Sequence, residues 1–141
     1  MCALDANIVI RYLRNDAITT RNVDIALERN HNLCVPKMVD YELRRGFNVM
    51  AIPAVKKESA YKILLERCPV AKMCEPSWER ALHVYKNLYQ DDYTVGEMDI
   101  LIAAFCLEYK YVLVTNNTSD FINVKGLMLE DWSKDYRVVH I

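Results

Sequence analysis

The chain has 141 residues, 52% of them hydrophobic, with only three Gly and four Pro. This excludes a disordered tail and is enough chain to bury one core without disulfide or metal staples. A net charge of −1 excludes strong whole-protein attraction to nucleic acid. The charge divides unevenly, however: residues 1–72 hold 12 Lys and Arg against 8 Asp and Glu (+4), and residues 73–141 hold 6 against 11 (−5).

In chain order, residues 2–5 (CALD) read as a short apolar strand and residues 7–14 as a short helix. Residues 20–30 continue helically, and residues 32–36 (NLCVP) form a second strand that stops at Pro36. The next helix repeats apolar residues at Met38, Val39, Leu43, Gly46, Val49 and Met50. Residues 54–67 are helical, an extended piece follows at 69–71, and 76–90 are helical again. A polar turn, QDDYTVG, leads into an apolar helix that runs to residue 109. YVLVT, residues 111–115, is apolar on both sides, as a central parallel strand should be. GLMLEDW and RVVHI add short strands.

Strands alternating with helices predict a three-layer α/β/α fold around a mostly parallel sheet, in one domain spanning 1–141. No apolar run reaches the roughly 18–20 residues of a membrane span, and no secretory signal is visible, so a cytoplasmic location is expected. The five cysteines (Cys2, Cys34, Cys68, Cys74, Cys106) include no C-x-x-C pair. They read as small apolar residues in a reducing compartment.

Most of the 19 carboxylates need no special account. Thr94 and Glu97 stand three apart, the spacing of a capping box. Four other acids are harder to dismiss. Asp5 closes the first strand, where capping and ligand binding both fit. Glu42 falls inside the apolar stripe of its helix, paired with Arg45 or facing a cation. Asp99 lies in the first turn of a helix that is apolar nearly all round. Asp120 follows the central strand in a loop. Brought together, four such acids would repel one another unless a divalent cation joined them or some kept their protons. An all-oxygen set suits Mg²⁺ or Mn²⁺, which activate water and stabilise a transferring phosphoryl group.

These residues sit in segments that resemble the PIN-domain endoribonucleases, specifically the VapC-type toxins. LDANIVI resembles the family's opening Leu-Asp-Thr-Asn-Ile, with Ala6 where the family has Thr. VPKMVDYELRRGF is similar to the second motif, TVGEMDILIAA to the third, LVTNNTSDF to the fourth and GLMLEDW to the usual ending. The resemblance implies a catalytic quartet of Asp5, Glu42, Asp99 and Asp120. Asp5, Asp99 and Asp120 would bind Mg²⁺ or Mn²⁺, and Glu42 would orient a water. Asn7, Thr115 and Asn116 would support the site. It further implies metal-dependent hydrolysis of structured RNA of the tRNA or rRNA class, a homodimer, and a small VapB-like antitoxin that inhibits the enzyme. Arg11, Arg14, Lys37, Arg44 and Arg45 are candidates for gripping RNA, with surface solubility as the alternative role. Tyr12 and Tyr41 are candidates for base stacking, with packing as theirs.

Two other readings remain open on the sequence. A non-catalytic PIN-like binding module would have no need of four spaced acids. A different Mg²⁺-dependent phosphoryl-transfer enzyme would normally carry Asp-x-Asp after the first strand, where this chain has DANIV, or a P-loop, which its scattered glycines exclude.

Overall fold

The computed structural model describes residues 1–49, 54–134 and 139–140, and the side chains of Ala54, Val139 and His140 are outside that description. The strands are β1 (Cys2–Leu4), β2 (Leu33–Pro36), β3 (Val70–Ala71), β4 (Val112–Val114), β5 (Leu129–Glu130) and β6 (Val139–His140). The helices are α1 (Ala6–Leu13), α2 (Ala17–Glu28), α3 (Lys37–Val49), α4 (Ala54–Leu65), α5 (Glu75–Gln90), α6 (Glu97–Tyr109) and α7 (Thr118–Phe121).

The sheet runs β3-β2-β1-β4-β5-β6. Its first five strands are parallel and β6 returns antiparallel beside β5. Helices flank it, giving the expected α/β/α layering. Strands β1 to β4 are short and wholly apolar, and β1 and β2 are buried along their whole length, as strands covered on both faces should be. The chain steps outward from β1 to β2 and β3, then crosses to the other side of β1 to make β4. The order therefore reverses between β1 and β4, and the crevice outside the carboxyl ends of two such strands is where open α/β sheets bind ligands.

Three local expectations are corrected. The second helix begins at Ala17 rather than near residue 20, because Asp16 caps it: Oδ2 accepts from Thr19 N at 3.1 Å and from Thr19 Oγ1 at 2.7 Å. The buried stripe of α3 is Met38, Val39, Leu43 and Phe47, together with Asp40. Val49 is 83% exposed, since it lies at the helix's end and beyond the core, and Met50 lies outside the described residues. The capping box fails: α6 starts at Glu97 with Gly96 as its N-cap, and no side chain caps it. Gly96 lends its carbonyl to Ile100 N at 3.0 Å, so Thr94 sits two residues too early to cap.

Four of the five cysteines are buried and Cys74 is half-buried; none is in a disulfide. Among the described residues, no helix is long and apolar enough to cross a membrane.

Candidate active site

The crevice between β1 and β4 is built from the residues that follow each strand. Leu4 pairs with Val114 in the sheet register, which sets Asp5 beside Thr115. Asp5 N donates to Val114 O at 2.9 Å and Thr115 N to Glu130 O at 3.0 Å, so the backbone fixes both positions. Asp5 is the N-cap of α1, and its Oδ1 accepts from Ala6 N at 2.8 Å. The cap and the site are thus the same residue. Its Oδ2 accepts from Thr115 Oγ1 at 2.9 Å and from Asn7 Nδ2 at 3.2 Å.

Asn7 is the hub of this network. Its Nδ2 also reaches Thr115 Oγ1 at 3.1 Å, and its Oδ1 accepts from Asn116 N at 3.0 Å. Thr115 Oγ1 accepts in turn from Asn117 N at 3.1 Å. The β1 and β4 termini are therefore bolted together through side chains, with Asp5 held in one orientation. Asn116 Oδ1 is buried and has no hydrogen-bond partner among the described residues. Without a hydroxyl at Ala6, Asp5 is still held at both oxygens, by the Ala6 N–H and by Thr115 and Asn7.

The other three acids come from separate elements and face this point. Asp99 is the third residue of α6, close to the amides of the helix start. A helix N-terminus ordinarily lowers a carboxyl pKa. Here burial, then the charges of Asp5 and Asp120, push Asp99 up to about 6 from 3.8. Glu42 on α3 is raised by burial, by Asp5 and by Asp99, with Arg45 pulling it back. Asp5 is raised by its burial against three lowering hydrogen bonds, with the Asp120 charge adding to the rise. Asp120 itself is exposed and lies in the short helix α7, not in a loop, with its N–H on Asn117 O at 3.0 Å. Four elements thus bring four carboxylates within electrostatic reach.

None of the four takes part in an ion pair within 4.0 Å among the described residues, and the Glu42–Arg45 pair, one of the two alternatives for Glu42, is not formed. Arg45 lies over the ring of Tyr41 instead, 5.3 Å from its centroid. Among the described residues no three Asp, Glu, His or Cys side chains are arranged to hold a metal ion by themselves. An ion at this point would therefore keep several waters or take phosphate oxygens. That is the habit of Mg²⁺, which dehydrates reluctantly and is held by one or two carboxylates. The all-oxygen donors, the uncompensated repulsion and the orphaned Asn116 oxygen fit such a cation.

The predicted basic residues behave differently from one another. Lys37 Nζ lies 3.1 Å from Asp40 and Arg44 3.9 Å from the same carboxylate. Arg11 lies 3.8 Å from Asp16. Arg14 and Arg45 have no carboxylate within ion-pair distance among the described residues. Tyr12 packs against the core and its hydroxyl meets Asp24 at 3.4 Å, a packing role, while Tyr41 is exposed.

Asp40 is the residue that sequence reasoning missed. It is 3% exposed and accepts from Tyr61 Oη at 2.8 Å as well as from Lys37. Lys37 three residues before it and Arg44 four residues after it were the local signals; Tyr61 comes from α4 and is invisible at short range.

With the geometry in place, the known proteins decide the family. A family model for the PIN domain matches residues 2–127. The chain belongs to the PIN domain family. This PIN domain is 27% identical over 134 residues to ribonuclease VapC2 of Rickettsia felis, a match covering 93% of the chain and 97% of the relative. A shorter stretch of 44 residues is 41% identical to ribonuclease VapC of Rickettsia bellii, covering 31% of the chain and 33% of that protein. Among solved structures it resembles VapBC2 of Rickettsia felis bound to a promoter DNA fragment, with a TM-score of 0.84 at 23% identity, covering 92% of this chain and 97% of that one. It also resembles VapBC-1 of nontypeable Haemophilus influenzae, with a TM-score of 0.81 at 24% identity, covering 94% and 98%. At these identities the structural likeness establishes the PIN fold.

Proposed function

We propose that the chain is one PIN domain, residues 1–141, acting as a Mg²⁺- or Mn²⁺-dependent endoribonuclease, the toxin of a VapBC-like pair. Its substrate is structured RNA of the tRNA or rRNA class. The observation that carries this reading is Asp99, pushed up to about 6 by burial, Asp5 and Asp120, with no cationic side chain of the described residues paired to any of the three. A protein does not stabilise its fold by such an arrangement, which makes sense as a cation site. Similarity to a ribonuclease over nearly its whole length supports the reaction class.

Asp5, Asp99 and Asp120 would hold the cation directly or through its waters, with Asp5 fixed by Thr115 and Asn7. A bound divalent ion supplies Lewis-acid stabilisation of phosphoryl charge and a more acidic water. Glu42, raised above its ordinary value, orients the attacking water toward phosphorus and accepts its proton. Water's oxygen forms the new bond to phosphorus and the P–O3′ bond breaks. The 3′ oxygen takes up a proton, leaving 5′-phosphate and 3′-hydroxyl ends. The 2′-hydroxyl takes no part. Arg14 and Arg45, with no carboxylate within ion-pair distance among the described residues, are the candidates to meet phosphates; Arg11, Lys37 and Arg44 must share their charge with an acid.

The partners follow from the same reading: a small VapB-like antitoxin, as in the VapBC complexes, a second copy of the chain, and a cytoplasmic location. The test is cleavage by purified Asp5→Asn and Asp99→Asn proteins, with circular dichroism to confirm the fold. Folded variants should be inactive. Wild-type activity in both would leave the cation site without a role.

A further inference from the structure

Among the described residues, Tyr41 is the single exposed aromatic side chain of the basic half of the chain, at 54%. Tyr12 packs against the core, and Phe47 and Tyr61 are buried. Tyr41 stands in the middle of the solvent-facing arc of α3, beside exposed Lys37, Arg44 and Arg45. That arc carries no exposed carboxylate, because Asp40 is buried and Glu42 half-buried. An aromatic ring set among cations is the composition of surfaces that bind single-stranded nucleic acid. Arg45 lies four residues beyond Tyr41 and three beyond Glu42, so on a helix it neighbours both. Its guanidinium sits over the Tyr41 ring, 5.3 Å from the centroid, and its charge reaches Glu42 at the crevice. It has no carboxylate within ion-pair distance among the described residues. Held on the ring by cation–π attraction, the guanidinium keeps its N–H donors for a phosphate.

We propose that Tyr41 and Arg45 form a nucleotide subsite: the ring stacks on one unpaired base of the RNA, and Arg45 holds that nucleotide's phosphate. The inference rests on the ribonuclease reading and names side chains that position its substrate. Neither residue touches the reacting atoms; both are positioning residues. A base inside a duplex has its faces covered by its neighbours, so only an unpaired one can meet the ring. Tyr41 and Glu42 leave adjacent Cα atoms, about 3.8 Å apart, so the stacked base belongs within roughly two nucleotides of the bond that is cut. The division of labour is chemical. Stacking on Tyr41 is insensitive to salt and blind to the identity of the base. The Arg45 contact is electrostatic, and each phosphate it neutralises releases counterions. Lys37 and Arg44 add positive potential along the same arc, but both share their charge with Asp40.

Fluorescence anisotropy tests this with two labelled probes in Ca²⁺: an oligouridylate of about 12 nucleotides, within the usual single-strand site size, and an RNA duplex of the same length. It reads binding rather than cleavage, so a negative result is separable from failure of the ribonuclease reading. Tyr41→Ala should weaken oligouridylate binding at least about fivefold, and duplex binding less than about twofold, with an unchanged circular dichroism spectrum. Tyr41→Phe keeps the ring and should bind the oligouridylate within about twofold of wild type. Arg45→Ala should weaken binding and flatten the slope of log Kd against log salt by about 0.7, one phosphate's share on a single strand, while Tyr41→Ala leaves that slope unchanged. Oligouridylate binding indifferent to Tyr41→Ala would overturn the proposal. So would an equal loss on the duplex, a Tyr41→Phe protein as weak as Tyr41→Ala, or a salt slope untouched by Arg45→Ala.

Discussion

Asp40 and Glu42 stand two residues apart on one helix and meet opposite circumstances. Asp40 is the more deeply buried, at 3% exposure, yet Tyr61, Lys37 and Arg44 all converge on it. Glu42 is only half-buried but faces Asp5 and Asp99, with nothing nearer than Arg45 to offset them. What distinguishes an acid that builds the fold from one offered to a ligand is the sign of its company rather than its depth. One face of α3 joins α4 and the other turns toward the crevice.

The largest expected effect is on the crevice side. Asp5→Asn or Asp99→Asn should lower RNA cleavage at least about 10²-fold with the fold intact, measured with a fluorescent RNA at saturating Mg²⁺. If Asp40→Ala abolished cleavage as completely while keeping its melting temperature, the distinction between the two faces would collapse. Asp40→Ala should instead cost stability, about 1–3 kcal/mol by urea unfolding, because it strands Tyr61 Oη in a buried site. Glu42→Gln should leave metal-free stability unchanged or slightly higher while reducing turnover.

A pH series sharpens the contrast. In the metal-free native protein Asp99 keeps its proton to about pH 6, whereas in the unfolded chain it releases it near 3.8. Between those values the native state binds more protons, so stability falls as pH rises through the window and stays low above it. The loss is about 1–2 kcal/mol after discounting for partial exposure. Asp99→Asn should reduce that slope in thermal melts from pH 4 to 7, leaving the part owed to Asp5 and Glu42, which are also raised, and an unaltered slope would show that burial and its neighbours do not raise Asp99.

The smallest effects concern helix starts and supports. Thr115→Val removes the hydroxyl shared by Asp5, Asn7 and Asn117 N and should weaken divalent-ion affinity about tenfold in calorimetry, with little change in fold. Glu97→Ala should change stability by under about 0.5 kcal/mol, because Gly96 rather than a capping box begins α6.

Much of this was legible because the signals were local. An Asp at the end of an apolar strand and another at the start of an all-apolar helix are conspicuous misfits, and the alternation of strands and helices carried the layers. The errors fell where the deciding partner was distant or the boundary was soft. Thr94 and Glu97 have capping spacing, but the N-cap of α6 is Gly96, two residues later than that box requires. Val49 matched the α3 stripe by period, yet the core ends at Phe47. Asp40 was not singled out because its deciding partner, Tyr61, lies 21 residues away. The Asp5–Asn7–Thr115 network joins residues about 110 apart, so its members were visible but its hydrogen bonds were not.

The account's central claim is a cation-dependent hydrolysis in which the RNA's own 2′-hydroxyl is a bystander. End-group analysis of RNA cut by the purified protein, with Mn²⁺ or with excess EDTA, tests it most directly. The account predicts 5′-phosphate and 3′-hydroxyl ends with Mn²⁺ and no cleavage in EDTA. Cleavage that persists in EDTA and leaves 2′,3′-cyclic phosphates would contradict it.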